Sequence, residues 1–212
     1  MRLASLACLA LVASACTLNL GDVAGIETTT ETRSVDAFDT IALSGSVDVD
    51  AKIGPDVSVE VEASPKVIGD IETVVEGGAL HIRLERGVHV NTGRMIVRVT
   101  APSLEGIPVS GSGDAQVEGL DEDAFSIAVS GSGDVEASGE AESVAVSVSG
   151  SGDIGARALE SENATVKLRG SGDISLTATE TATGSVAGSG DVSVHGGATC
   201  TISVSGSGDV NC

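Results

Sequence analysis

The sequence predicts an all-β protein built as a parallel β-helix, on the evidence of two patterns. First, the tetrapeptide Gly-Ser-Gly-Asp occurs six times in the second half of the chain, at intervals of 18 to 20 residues. A fixed period of this length indicates one small structural unit stacked repeatedly, as in a solenoid. Second, apolar side chains alternate with polar ones on both sides of each tetrapeptide, which is typical of strands with one buried face.

The six tetrapeptides are the predicted turns of the solenoid. Because a sharp arch needs positive φ angles, which glycine adopts without a Cβ clash, we expect both glycines of each copy at a β-arch. An arch places its two strands on facing sheets, whereas a hairpin would pair them within one sheet. The turn glycines are Gly111, Gly113, Gly131, Gly133, Gly150, Gly152, Gly170, Gly172, Gly188, Gly190, Gly206 and Gly208.

A repeat of about twenty residues has room for two strands and two corners. Parallel coils rise about 4.8 Å each, so about six regular coils would form a rod of roughly 29 Å. Right-handed winding is the default for parallel crossovers. The predicted fold is therefore a right-handed, two-sheet parallel β-helix, and an antiparallel meander or sandwich is the alternative.

The β-helix domain is predicted to span residues 35–212. Residues 105–212 contain the Gly-Ser-Gly-Asp coils. Residues 35–104 show the same alternation in shorter, less regular runs, punctuated by turn sequences such as Gly54-Pro55-Asp56 and Gly77-Gly78.

The amino terminus has the pattern of an export signal. Residues 1–15 combine a positive charge, a short apolar run and small residues before a cleavage point, so they are predicted to be a signal peptide. The Ala-Ser-Ala-Cys sequence that ends at Cys16 is similar to a bacterial lipobox, which makes Cys16 the predicted lipidation site; simple secretion is the alternative. Residues 16–34 are polar and Thr-rich and are predicted to be a flexible, lipid-anchored tether. We therefore expect a protein of the cell envelope, either periplasmic or on the outer membrane and cell surface.

Two cysteines remain in the mature domain once Cys8 leaves with the signal peptide and Cys16 is acylated. In an oxidising compartment, Cys200 and Cys212 are expected to form a disulfide, and two small buried thiols are the alternative. Both lie in the last coil on facing strands, where a covalent bond would fasten the open end of the solenoid.

Charge and composition limit the classes of partner. The chain carries a formal charge of −20, and its hydrophobic content of 41% is too high for a disordered acidic protein. Nothing in such a chain would neutralise the phosphates of a nucleic acid, and no basic patch is present for anionic lipid.

The aspartates of the six turns are expected to form a column. Carboxylates about 5 Å apart repel by roughly 1 kcal/mol in water, so something must offset the repulsion. We expect each carboxylate to accept backbone N–H bonds within its own turn. The alternative is a calcium-binding repeat protein, with calcium held by the column; no other cofactor is expected. The aspartates are Asp114, Asp134, Asp153, Asp173, Asp191 and Asp209.

Residues 35–212 resemble a known bacterial family. The resemblance rests on Phe38-Asp39-Thr40-Ile41, on the runs 77–82 and 97–104, and above all on the Gly-Ser-Gly turns. On these residues the chain is similar to the putative auto-transporter adhesin head GIN domain proteins, a domain of unknown function. The resemblance implies a two-sheet superhelix similar to pectin lyases, with Gly-Ser-Gly at the tight turns, an adhesin role and no recognised catalytic residues.

The leading functional prediction is a non-enzymatic exported lipoprotein whose rigid β-helix is an adhesin or a structural module of the envelope. Its partners would be the membrane, through the lipid anchor, and a protein or glycan ligand that the sequence does not identify. A flat hydroxyl surface is expected to face outward. It comprises Ser130, Ser147, Ser149, Ser175, Thr177, Thr179, Ser193, Ser203 and Ser205.

An enzyme acting on polysaccharides, similar to pectin lyases, is the rival prediction, together with simple polysaccharide binding. Catalysis of that kind needs a carboxylate cluster for a metal beside an Arg or Lys base. The repeats contain only Arg157, Lys167 and Arg169 as cations. Arg169 stands next to the aspartate column, where we expect it to act as a local counter-charge.

Overall fold

The computed structural model describes residues 27–85 and 93–212, so the predicted signal peptide and Cys16 lie outside the described residues. The described residues form fifteen strands and one 3-10 helix, Ile68–Asp70. The strands are β1 (Thr29–Arg33), β2 (Thr40–Gly45), β3 (Asp48–Ile53), β4 (Ser58–Ala63), β5 (Ile71–Glu76), β6 (Ala79–Leu84), β7 (Ile96–Ala101), β8 (Gly106–Gly111), β9 (Ala115–Gly131), β10 (Val135–Gly150), β11 (Ile154–Gly170), β12 (Ile174–Gly188), β13 (Val192–His195), β14 (Thr199–Gly206) and β15 (Val210–Asn211).

The second half of the chain is a parallel β-solenoid, as predicted. Strands β9 to β12 pair in parallel, each with the next, and equivalent residues lie opposite one another: Val146 pairs with Ile127 on one side and with Val166 on the other. Like residues therefore form columns along the solenoid. The solenoid has about five turns, close to the about six regular coils predicted.

The second corner of each coil differs from the prediction. No loop separates two strands there, and a single strand of 15 to 17 residues runs from one tight turn to the next. The strand bends at β-bulges, for instance between Glu136 and Ser138 and at Gly139, which has φ +129°. A bulge redirects a strand while most of its hydrogen bonds to the neighbouring coils persist, so this corner needs no turn motif.

Each coil thus contributes to two half-sheets. The part of the strand after the tight turn pairs in the series that contains β3, β13 and β15. The part before the next tight turn pairs in the series that contains β2, β8 and β14. The two half-sheets face each other across the core, as expected for a β-arch.

Antiparallel strands lie at the amino-terminal end of the solenoid. Strand β7 pairs with β4, β4 pairs with β1, and β6 pairs with β5. Strand β1 falls within residues 16–34, predicted to be a tether; because Thr29–Arg33 pair with β4, the ordered structure begins upstream of residue 35.

The core is aliphatic and consists of columns of inward-facing side chains. Its two aromatic residues, Phe38 and Phe125, are both buried. In one column, Val129, Val148, Leu168 and Val186 are at most 2% exposed, whereas the last member, Val204, is 46% exposed. Burial of each residue therefore depends on a coil on either side of it.

Candidate functional site

The two glycines of each tight turn are required for different physical reasons. The first glycine of each copy has φ between +126° and +147°, in the region that favours glycine, as predicted. The second glycine does not have a positive φ, so that part of the prediction is wrong. A Cβ on Gly152 would lie closer than 3.0 Å to the carbonyl oxygen of Gly133, one coil earlier. The second glycine is therefore required by the close stacking of successive turns.

The column of turns begins one coil earlier than the repeats indicate. Gly45 pairs with Gly111, and its carbonyl oxygen accepts hydrogen bonds from the N–H groups of Ser112 and Gly113. The segment Gly45-Ser46-Val47-Asp48 is thus a first, degenerate copy, which the sequence analysis missed. Val47 replaces the second glycine and is fully buried. In the described part of the chain no earlier turn stacks against Val47, so this position has room for a side chain.

The turn aspartates form a hydrogen-bonded ladder between coils. The backbone N–H of each aspartate donates to Oδ1 of the aspartate one coil earlier, at 2.7 to 3.2 Å. The expectation that each carboxylate caps its own turn is therefore wrong. These charge-assisted hydrogen bonds offset the repulsion between neighbouring carboxylates. The aspartate ladder consists of Asp48, Asp114, Asp134, Asp153, Asp173, Asp191 and Asp209.

Calcium binding by the aspartate column stays a prediction. Within residues 27–85 and 93–212, no three His, Cys, Asp or Glu side chains converge in a way that could hold a metal ion.

The bends at the opposite edge of the solenoid are also acidic. Glu122 accepts a hydrogen bond from the backbone N–H of Leu104 at 2.8 Å. Seven of the acidic residues, all except Glu180, line a shallow depression that is open to solvent. The two edges of the solenoid are therefore both negatively charged. The acidic residues at the bends are Asp121, Glu122, Asp123, Glu140, Glu142, Glu160, Glu162 and Glu180.

Between these edges lies a surface without acidic residues, which we call the hydroxyl face. It is formed by the outward side chains of six parallel segments: 106–110, 124–130, 143–149, 163–169, 181–187 and 199–205. None of these segments contains Asp or Glu, although the chain has 31 acidic residues. Six rows about 4.8 Å apart give a surface roughly 24 Å long. Most of its outward residues are Ser, Thr or Ala.

The predicted hydroxyl surface is divided between two sides of the molecule. Five of its members lie on the hydroxyl face: Ser130, Ser147, Ser149, Ser203 and Ser205. Ser175, Thr177 and Ser193 lie on the other half-sheet, and Thr179 lies at an acidic bend. The prediction of one continuous surface is therefore wrong, because residues before and after a tight turn belong to opposite half-sheets.

Two cations, Lys167 and Arg169, stand on the hydroxyl face. Both are exposed, and among the described residues neither lies within 4.0 Å of a carboxylate. The expectation that Arg169 acts as a counter-charge for the aspartate column is therefore wrong. Arg157, the third cation of the repeats, is exposed on the other half-sheet.

The other half-sheet carries interleaved charges instead. A groove of about 410 Å³ there is lined by Lys52, Arg98 and several carboxylates, among them Asp50 and Glu118. Arg98 donates to Glu62 at 2.7 Å, and this hydrogen bond raises the pKa of Arg98 above its ordinary value. Arg98 is therefore paired within the protein, whereas Lys52 has no carboxylate of a described residue within 4.0 Å.

The last coil contains the predicted disulfide. Cys200 in β14 is bonded to Cys212, which follows β15, with Cα atoms 6.4 Å apart. The bond joins the two half-sheets at the end of the solenoid, where Val204 is exposed.

These features define a class of protein: a parallel β-solenoid with stacked glycine turns, acidic edges and one hydroxyl-rich face without acidic residues. The family model described as putative auto-transporter adhesin, head GIN domain, matches residues 37–198. The chain belongs to this family, and the resemblance seen in its sequence is confirmed.

Solved structures share the fold. A putative adhesin from Bacteroides fragilis NCTC 9343 has a TM-score of 0.68 at 22% identity, covering 88% of this chain and 97% of its own. A putative lipid binding protein from Parabacteroides distasonis ATCC 8503 has a TM-score of 0.57 at 20% identity, covering 87% of this chain and 96% of its own. A putative adhesin from the same organism has a TM-score of 0.54 at 21% identity, with the same coverage. No curated protein matches the sequence.

The family supports an adhesin-like role for an exported, surface or envelope protein. It is consistent with a protein that is not an enzyme. Within residues 27–85 and 93–212, no helix is both long and apolar enough to cross a membrane.

Proposed function

We propose that this chain is a non-enzymatic, envelope-attached adhesin-like module that binds its partner through the hydroxyl face. The observation that carries the proposal is the segregation of charge: 31 acidic residues are distributed over the chain, and none occurs in the six segments that form this face. A face that is merely solvated would be expected to carry acidic residues, as both edges and the other half-sheet do.

The chemistry of the face suits a partner rich in hydroxyl groups. Each serine or threonine hydroxyl both donates and accepts hydrogen bonds, so rows of them can match the hydroxyls of a polysaccharide. Their side chains are short and stand on a sheet hydrogen-bonded on both sides. Binding therefore immobilises few rotatable bonds, which lowers its entropic cost.

Envelope attachment is part of the same proposal. Lipidation at Cys16 and a short polar segment before β1 would hold the solenoid at the membrane. Mass spectrometry of the membrane-extracted protein tests this step, with a diacyl or triacyl modification expected on Cys16. An unmodified mature amino terminus would contradict it.

The contact surface is tested by placing charge on it. Ala128→Glu/Ser130→Glu adds two carboxylates to the hydroxyl face, and Ser175→Glu/Ser193→Glu adds two to the other half-sheet. We expect the wild-type chain to bind polysaccharides on a glycan array, the first variant to lose this binding and the second to keep it. Equal binding by both variants, or no binding by the wild type, would show that the hydroxyl face is not a polysaccharide-binding surface.

A further inference from the structure

Lys167 and Arg169 lie at the centre of the hydroxyl face with small neutral neighbours on both sides. Lys167 pairs with Ser147 in β10 and with Ser185 in β12. Arg169 pairs with Ser149 and Ala187 in the same two strands. The two cations are two residues apart and so project from the same side of β11, roughly 7 Å from each other. We call this arrangement the cation cradle.

The charges of the cradle are available to a ligand. Arg33, Arg83 and Arg98 each pair with a glutamate at 2.6 to 2.9 Å. Lys167 and Arg169 form no such pair with any described residue, although the chain is strongly acidic. A guanidinium presents a planar fork that matches a carboxylate in two parallel hydrogen bonds, and an ammonium adds a point charge.

The surroundings of the cradle limit the kind of anion that fits. The exposed large apolar side chains of the described residues are Val57, Val74 and Val204, and none is next to the cradle. An acyl chain would therefore find no apolar groove there. The strands under the cradle are paired on both edges, so a peptide cannot add to them as a further strand. Hydroxyls surround the cations instead, and sugar hydroxyls can hydrogen-bond to them.

We propose that the cation cradle binds carboxylate groups of an acidic polysaccharide, a polymer that contains uronic acid residues. This inference rests on the proposed function, because it names the ligand class of the hydroxyl face. The net charge of −20 repels a polyanion at long range. Binding is therefore confined to the one face without carboxylates, and it depends on the two cations.

The test uses the full-length mature protein and polygalacturonate as the probe, with neutral dextran for comparison. Lys167→Ser/Arg169→Ser introduces the residue that the aligned rows already contain at Ser147 and Ser149, so the stacking of coils is preserved. Lys52→Ser/Arg157→Ser makes the same change of net charge on the other half-sheet. Thermal unfolding of each variant verifies that it folds.

We expect the wild type to bind polygalacturonate more tightly than dextran. Losing both cradle cations should weaken binding to polygalacturonate about tenfold, as expected for two exposed ion pairs. The control variant should bind like the wild type, and Lys167→Arg/Arg169→Lys should retain binding.

Two outcomes would overturn the inference. If the control variant weakens binding as much as the cradle variant, the attraction is a general charge effect. If the wild type prefers dextran and the cradle variant is unaffected, the face binds neutral sugars; the proposed function then stands without the acidic ligand. Failure of the proposed function would be recognised by a different result: polysaccharide binding that the Ala128→Glu/Ser130→Glu variant leaves unchanged.

Discussion

The backbone N–H of Asp153 donates to Oδ1 of Asp134, one coil earlier, at 2.8 Å. The same contact joins every consecutive pair of the aspartate ladder, so each carboxylate except that of the last member links two coils. The last member, Asp209, donates to Asp191 but accepts no such bond from a described residue. Asp209 is therefore a control position for substitutions in the ladder, since replacing it removes no hydrogen bond to a following turn.

Removing an interior carboxylate should destabilise the solenoid. Asp134→Ala leaves the N–H of Asp153 without its acceptor and should lower the free energy of unfolding by about 1 kcal/mol. Asp134→Asn keeps an acceptor and removes one charge from the column, so it should be at least as stable as the wild type. Urea denaturation measures both, and Asp209→Ala should have a smaller effect than Asp134→Ala. A larger loss for the asparagine than for the alanine variant would contradict this role of the ladder.

The second turn glycine should be intolerant of any side chain. Gly152→Ala places a Cβ closer than 3.0 Å to the carbonyl oxygen of Gly133 and to a methyl group of Val129. We expect a loss on the order of 3 kcal/mol, because backbone atoms of two coils must separate. Gly69 has neither a positive φ nor an atom within 4 Å of a built Cβ, so Gly69→Ala should be close to neutral. Equal melting temperatures for the two variants would show that the coils are not closely stacked.

Val47 and Gly113 occupy equivalent positions in successive turns. Substituting either residue should destabilise the protein, but for opposite reasons: too little side-chain volume at Val47 and too much at Gly113. Val47→Gly removes a fully buried side chain and should cost about 2 to 3 kcal/mol through lost burial. Gly113→Val introduces a clash with the carbonyl oxygen of Val47 and should cost at least as much. Val47→Ala, which removes less apolar surface, should be milder than Val47→Gly. Tolerance of Gly113→Val in a denaturation assay would disprove the role of Val47 as the end of the turn column.

The disulfide should protect the last coil. Cys200 and Cys212 are separated by 12 positions in the sequence, and closing a loop of this length stabilises by on the order of 3 kcal/mol in the chain-entropy model. The Cys200→Ser/Cys212→Ser variant should therefore exchange the amide hydrogens of β14 faster, while those of β10 remain protected. Unchanged exchange in β14 would show that packing alone holds this coil.

Much of the fold could be predicted because the Gly-Ser-Gly-Asp period and the alternation around it both follow from the stacking of coils. The bends could not be predicted, since a bulge inside a paired strand needs no particular turn residue. The copy at Gly45–Asp48 was missed because Val47 interrupts the motif, although Ser44, Gly45, Ser46 and Asp48 repeat the rest of it.

The candidate site was only partly predictable from the sequence. Alternation identifies outward residues but not the half-sheet on which they lie, so Ser175 and Ser193 were assigned to the wrong surface. The absence of carboxylates from the hydroxyl face becomes visible only when the segments before each turn are aligned as neighbouring strands.

The stacking of turns has a consequence for the length of the molecule. The turns at Gly133, Gly152 and Gly172 each stack directly on the turn one coil earlier. An interior coil therefore has two neighbouring coils with nearly the same turn structure. Duplicating or deleting one whole repeat would leave neighbouring coils with the same kind of contact surface. It would change the length of the solenoid by about 4.8 Å. The length of such a solenoid can therefore change in discrete steps of one coil.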